Sequence, residues 1–181
     1  SVGQAEVFAQ NGIDDIFVAN EIVTSQKIRQ LCALTHSASI TVAVDYAPNV
    51  KDLSEAAQSS GVILGVVVDV NTSPDRPGVE PGQRAVDLAK VIETSPNLCF
   101  KGLMTLQGGT QSDDMCEMEA ESRRSLQQVL DTRERIENAG MEVEVLSAGG
   151  THDYELVGKM SGVTEVPAGA YALMDCKHLR Y

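Results

Sequence analysis

Apolar residues in this chain follow two alternating rhythms. Near-continuous apolar runs recur at IFVAN (16–20), ITVAVD (40–45), VILGVVVDV (62–70), LCFKGLMTL (98–106), VEVLSAG (143–149) and TEVPAGAYALMD (164–175). Runs with little polar alternation predict strands buried on both faces, hence a parallel sheet. Between them the apolar positions recur at helical spacing. Ile28, Leu31, Cys32 and Leu34 share one face after Thr24-Ser25, and Val50, Leu53, Ala56 and Ala57 do so after Asn49. Ala85, Leu88, Ala89 and Ile92 form the next face, which Pro96 ends. Leu126, Val129, Leu130, Arg133 and Ile136 mark a long helix from about 113 to 138, stopped by Gly140. A short helix fits 154–160. The opening residues SVGQAEVFAQNG read as the tail of a strand feeding a helix without a capping start.

The order is therefore β-α, repeated six times, within one domain. Such alternation requires crossover connections and a parallel sheet. An open doubly wound sheet satisfies it, and so does an eight-stranded (β/α)8 barrel lacking its first one or two strands. In both, functional groups gather at the C-terminal ends of the strands.

Charge narrows the partners. The 181 residues include 14 basic and 26 acidic side chains, a formal charge of −12. This argues against nucleic acid or an anionic membrane as a partner, since both select positive charge. Cys32, Cys99, Cys116 and Cys176 lack the C-x-x-C spacing of a zinc or dithiol motif. Cys32 and Cys99 read as small core residues. No apolar run is long enough to cross a bilayer, and a reducing cytoplasm is the expected compartment.

Two segments carry candidate chemistry. Gly149-Gly150-Thr151 follows one strand and Gly169-Ala170-Tyr171 follows the next. Glycine lets the backbone approach a ligand closely, and unpaired amides at strand ends suit an anion. Paired loops late in a βα series are where a barrel seats phosphate. Arg76, in the turn-rich loop NTSPDRPGVEPG, suits a carboxylate, a phosphate or a pyridine nitrogen; a solvated loop arginine is the competing reading. Asn20, Asp45, Asp69 and Asn71 stand at strand ends, and Thr24 and Asp45 are expected to cap the following helices. The histidines show no ligand spacing, though His152 adjoins the glycine loop. No G-x-S-x-G, P-loop or H-E-x-x-H occurs.

At VGQAEVFAQNGIDDIFVAN, ITVAVD, GVEPGQRAVDLAKVI, FKGLM, SAGGT and EVPAGAYALMD the chain resembles one family over essentially its whole length. This is the fold-type III pyridoxal-phosphate group of D-threonine aldolase, D-serine dehydratase and 3-hydroxyaspartate aldolase. The resemblance implies an alanine-racemase-like (β/α)8 barrel, incomplete here with about six strands, followed in the family by a β-rich domain. It implies pyridoxal 5'-phosphate as cofactor, with Ser147, Gly149, Gly150, Thr151, Gly169, Ala170 and Tyr171 at its phosphate and Arg76 near its ring. The family's Schiff-base lysine lies in an H-x-K-T-H-K-like strand upstream of the residues present, and its divalent metal ligands lie beyond Tyr181. No catalytic or metal-ligating residue is therefore expected in this chain. The six lysines here, Lys27, Lys51, Lys90, Lys101, Lys159 and Lys177, stand outside that motif.

Three departures accompany the resemblance. The family often has tyrosine at Leu106 and histidine near Gly109, and its R-C-G-V is Arg76-Pro77-Gly78-Val79 here. The expected function is a fragment of a lyase acting on β-hydroxy D-amino acids, an aldolase or a dehydratase, possible as a homodimer. The alternatives are a diverged, non-catalytic barrel that binds pyridoxal phosphate or another phosphorylated ligand, and an unrelated barrel enzyme with a phosphate-bearing substrate.

Overall fold

A computed structural model describes residues 1–73, 76–106, 115–151 and 153–169. Their order is α1 (Val2–Gln10), β1 (Asp15–Glu21), α2 (Ser25–Leu34), β2 (Ser39–Val44), α3 (Ala47–Ser60), β3 (Leu64–Asp69), α4 (Gln83–Glu93), β4 (Leu98–Thr105), α5 (Met115–Asn138), β5 (Val145–Ala148) and α6 (Tyr154–Val157). The five strands pair in chain order, every pair parallel. They curl into a half-barrel. The sixth predicted run contributes one parallel bridge, Glu165 beside Ser147, and continues outside the described residues from 170 onward.

The two faces of the sheet differ. Val42, Val44, Val66, Val68, Leu103 and Leu146 pack with helix residues such as Leu31, Leu53, Ile92 and Ile136 in one large core. The opposite face has a smaller cluster, Ala43, Val67 and Met104, joined by Phe17, Ala19, Leu106 and Val145. Helices therefore cover the outer face, and the second cluster lines the inside of the curl. Both faces are apolar, which explains why the strands lack alternation.

One irregularity keeps β4 in phase. Val66 pairs with Phe100 and Val67 with Gly102, so Lys101 bulges out of the ladder. The extra residue lets both Phe100 and Leu103 face the outer core. It also sends the Lys101 ammonium to the Glu144 carboxylate, 2.7 Å away, and that pairing raises the lysine pKa.

Several sequence expectations need correction. The start is a capped helix: Ser1 Oγ accepts the Gln4 N–H at 3.4 Å, and the Gln4 side chain returns to the Ser1 backbone. A polar residue followed three positions later by glutamine is a capping box. Thr24 takes the N-cap position of α2 without a side-chain bond. Asp45 does not cap α3; its Oδ2 accepts the Gly78 N–H at 3.2 Å instead. Cys99 is half-buried rather than in the core, whereas Cys32 is fully buried and its thiol pKa is raised by that burial. Asn49 lies within α3, not before it, and its amide donates to the Ile22 carbonyl at 2.9 Å.

Candidate functional site

The inner face ends, towards the C-termini of the strands, in a row of polar side chains. Register places Asp69 beside Met104 and Met104 beside Ser147. Paired residues on parallel strands share a face, and Met104 belongs to the inner cluster. Asp69 and Ser147 therefore flank it inside the curl. Glu21 pairs with Ala43, another inner residue. Ala43 is small, which leaves room for Glu21 to reach across β2 and hydrogen-bond Asp69.

Two carboxyl groups can share a hydrogen bond only if one carries a proton. Burial, then the bond and charge of Glu21, and to a lesser degree Asp45, push the Asp69 pKa up to about 8. The Arg76 guanidinium pulls it down by less. At neutral pH Asp69 thus holds the proton of the pair. Glu21 Oε1 is buried.

The loop carrying Arg76 is tied at several points. Asn71 Nδ2 donates to the Arg76 carbonyl at 2.7 Å, and Asn71 Oδ1 accepts the Ser73 N–H at 3.1 Å. Val79 and Asn71 exchange backbone bonds with the end of β3 and with each other, Val79 N to Asp69 O at 2.9 Å and Asn71 N to Val79 O at 2.8 Å. The Thr72 hydroxyl bridges Thr105 Oγ1 at 2.7 Å and Ser125 Oγ at 2.5 Å, joining the loop to β4 and α5. With Asp45 holding Gly78, the described residues of this loop, 71–73 and 76–79, are tied down as a wall beside the strand ends.

The other end of the row is built from backbone. Ser147 is fully buried, and its Oγ has no hydrogen-bond partner. Gly149 follows at φ +81°, where a Cβ would meet Asp153 Oδ1 at 3.0 Å and Val157 Cβ at 3.1 Å. The Gly150 N–H donates to Asp153 Oδ1 at 2.7 Å, and Asp153 Oδ2 accepts from Ser122 Oγ at 3.0 Å. An orphaned buried hydroxyl ahead of a tight glycine turn leaves a donor facing the interior of the curl.

The family model described as "Alanine racemase, N-terminal domain" matches residues 1–176. The chain belongs to this family. Across 99% of its length it is 36% identical to a 3-hydroxy-D-aspartate aldolase of Paracoccus denitrificans (strain Pd 1222), covering 47% of that protein. It is 31% identical over 96% of its length to a D-threonine aldolase of an Arthrobacter species, covering 46% of it. The crystal structure of D-threonine aldolase from Filomicrobium marinum superposes with a TM-score of 0.94 at 32% identity, over 99% of this chain and 49% of that one. The chain spans about half the length of the curated relatives it matches.

Within this alanine racemase N-terminal fold the expected site residues divide into groups. Ser147, Gly149, Gly150 and Thr151 lie together at the end of β5, and Arg76 lies on the wall above Asp69. The Gly150 amide, expected to face an anion, is engaged by Asp153. Gly169 is described and exposed, whereas Ala170, Tyr171, His152 and Gly109 fall outside the described residues. Leu106 packs against the inner cluster. Lys101, with Glu144 and near Asp15, stands at the N-terminal end of the sheet, away from the site. Lys27, Lys51, Lys90 and Lys159 are exposed on or beside helices, and Lys177 is outside the described residues. Sequence reasoning missed Glu21 and Asp153. The register of Glu21 beside a small Ala43 was not readable from spacing. Asp153, three residues after Gly150, had a legible turn signal.

Proposed function

We propose that this chain forms the cofactor-binding half-barrel of a pyridoxal-phosphate-dependent lyase acting on β-hydroxy D-amino acids. The observation that carries the reading is the inner-face row, Asp69, Met104 and Ser147, with donors at one end and ionisable groups at the other. The residues present fit the cofactor. The orphaned Ser147 Oγ and the glycine turn behind it suit a phosphate. Met104 and Leu106 offer an apolar floor for a ring, and Arg76 with the Glu21–Asp69 pair stands at the far side. Aldolase names on relatives that align across nearly the whole chain support the reaction class.

When bound, the cofactor supplies an electron sink for breaking a bond at the substrate's α-carbon. The chain's own residues do the rest. Ser147 and the loop after it hold the phosphate, and Arg76 orients the ring. The Glu21–Asp69 pair keeps a proton at Asp69 within the apolar lining. On this reading, the amine that bonds the cofactor comes from a strand outside these 181 residues. Among the described residues, no group of three His, Cys, Asp or Glu side chains is arranged to hold a metal ion, and no step here runs through one. Among them, too, no helix is long and apolar enough to cross a membrane.

Equilibrium dialysis against pyridoxal phosphate and against pyridoxal tests the site. Binding that depends on the phosphate and is lost in Gly150→Leu is expected. Equal affinity for both compounds would count against the phosphate seat. Turnover of a D-β-hydroxy amino acid by a protein containing this half-barrel tests the reaction class.

A further inference from the structure

We infer that Asp153 is the positioning residue that shapes the anion loop, clamping the turn after β5 onto α5; this rests on the pyridoxal-phosphate reading above. The carboxylate stands at the N-cap position of α6 but makes no side-chain capping bond there. It faces backwards. Oδ1 takes the Gly150 N–H at 2.7 Å and Oδ2 takes the Ser122 hydroxyl at 3.0 Å. Ser122 is itself buried on α5, and Asp153 is only 7% exposed. A buried carboxylate is costly unless its oxygens are bonded, and charge-assisted bonds are about twice as strong as neutral ones. This one is spent on a loop rather than on a helix end.

The clamp and the glycines fit each other. At Gly149 a side chain would run into Asp153 Oδ1, 3.0 Å from an added Cβ, and the positive φ disfavours any other residue. The turn is therefore folded tightly onto the carboxylate. Two residues upstream sits Ser147, whose buried Oγ lacks a partner. Fixing Gly149 to Thr151 fixes the loop backbone relative to that hydroxyl before a ligand arrives. A loop ordered in advance loses less entropy on binding.

Charge and geometry pull in opposite directions here, which makes the inference testable by sign. The Asp153 charge opposes a phosphate dianion, while its bonds shape the seat. Asp153→Asn keeps an oxygen for Gly150 and removes the charge. Asp153→Ala removes both.

The experiment titrates the protein, D153A, D153N and S122A with pyridoxal phosphate and with pyridoxal, and checks the fold by circular dichroism. D153A is expected to weaken pyridoxal phosphate about tenfold, the equivalent of one lost charge-assisted bond, and to leave pyridoxal unchanged. D153N should bind as tightly as the parent or more tightly, and S122A should fall between the parent and D153A. Tighter binding by D153A would mean the carboxylate blocks the amide, and would overturn the clamp. Equal losses for both ligands, or equal losses in D153A and D153N, would also overturn it. If D153A does not fold, S122A decides alone: unchanged phosphate affinity would refute the clamp. Phosphate-independent binding by the parent sinks the cofactor reading itself, whereas phosphate-dependent binding indifferent to Asp153 and Ser122 sinks only the clamp.

Discussion

The ends of β1 to β3 and the turn after β5 handle charge in opposite ways. On the first side, Glu21, Asp45, Asp69 and Arg76 bring ionisable side chains together, and the crowding is relieved by a proton kept on Asp69. On the second side Ser147 offers a hydroxyl and the turn offers backbone, Glu165 pairs beside Ser147, and the Asp153 carboxylate is bonded to Gly150 of the loop and to Ser122 of α5. Both sides sit on the same inner face, two strands apart. On the proposed reading the first side handles a proton and the second holds an anion. A ligand with a phosphate at one end and a titratable ring at the other would lie between them across Met104.

The seam between the two sides is β4, and breaking it should have the largest effect. Gly102 has φ +144°, and a Cβ there would lie 2.0 Å from the Val145 carbonyl oxygen. No side chain fits without separating β4 from β5. Gly102→Val should cost about 4 kcal/mol or more, the range reserved for backbone incompatibility. The check is a urea transition followed by far-UV circular dichroism. A midpoint like the parent's would mean β5 does not need this close approach.

Next in size is a pH effect confined to the first side. Asp69 rises from an ordinary 3.8 to about 8 in the folded chain. Between those values the folded state holds a proton that the unfolded state has released. Stability is then fully present below about pH 4 and falls as pH rises through about 8. Each pKa unit corresponds to about 1.4 kcal/mol, so the fall across the window amounts to a few kcal/mol. Asp69→Asn should flatten the profile, with urea midpoints at pH 5 and pH 8.5 drawing together. A variant that keeps the parent's slope would show that another group carries it.

The loop between these sides offers a smaller test. Thr72 joins Thr105 and Ser125 through its hydroxyl. Thr72→Val keeps the shape and removes both bonds, leaving two buried hydroxyls poorer by a partner. The expected loss is about 1–2 kcal/mol by chemical denaturation. The Arg76 wall should loosen, while the phosphate affinity proposed for the β5 turn should stay unchanged. Loss of phosphate binding in this variant would mean the two sides are not independent.

How much of this was readable beforehand follows the physics of each feature. Apolar runs and helical spacing report burial, so β1 to β5 were legible to within two residues at each end, and so were the inward faces of α2 to α5. The glycine turn after β5 was legible because such turns are local. The Asp45 contact with Gly78 was not, because it joins residues 33 apart in sequence. The Glu21–Asp69 pair depends on a register shift in β1 between Val18 and Glu21, which no periodicity reveals. Ser1 shows the opposite failure: its capping box was local and visible, and the glutamine at position 4 was overlooked.

The smallest stability effect belongs to the second side and separates function from fold most cleanly. Two buried serines can be compared. Ser54 Oγ donates to the Pro96 carbonyl at 2.6 Å, whereas Ser147 Oγ has no partner. Removing a satisfied hydroxyl costs about 1 kcal/mol, but removing an orphaned one relieves a desolvation penalty. Ser54→Ala should therefore lower stability, and Ser147→Ala should leave it unchanged or raise it by up to about 1 kcal/mol. If the Ser147 hydroxyl is there for a phosphate, the same substitution should weaken pyridoxal phosphate and leave pyridoxal alone. A destabilised Ser147→Ala chain would mean that the hydroxyl serves the fold, and the contrast between the two sides would then lose its sharpest member.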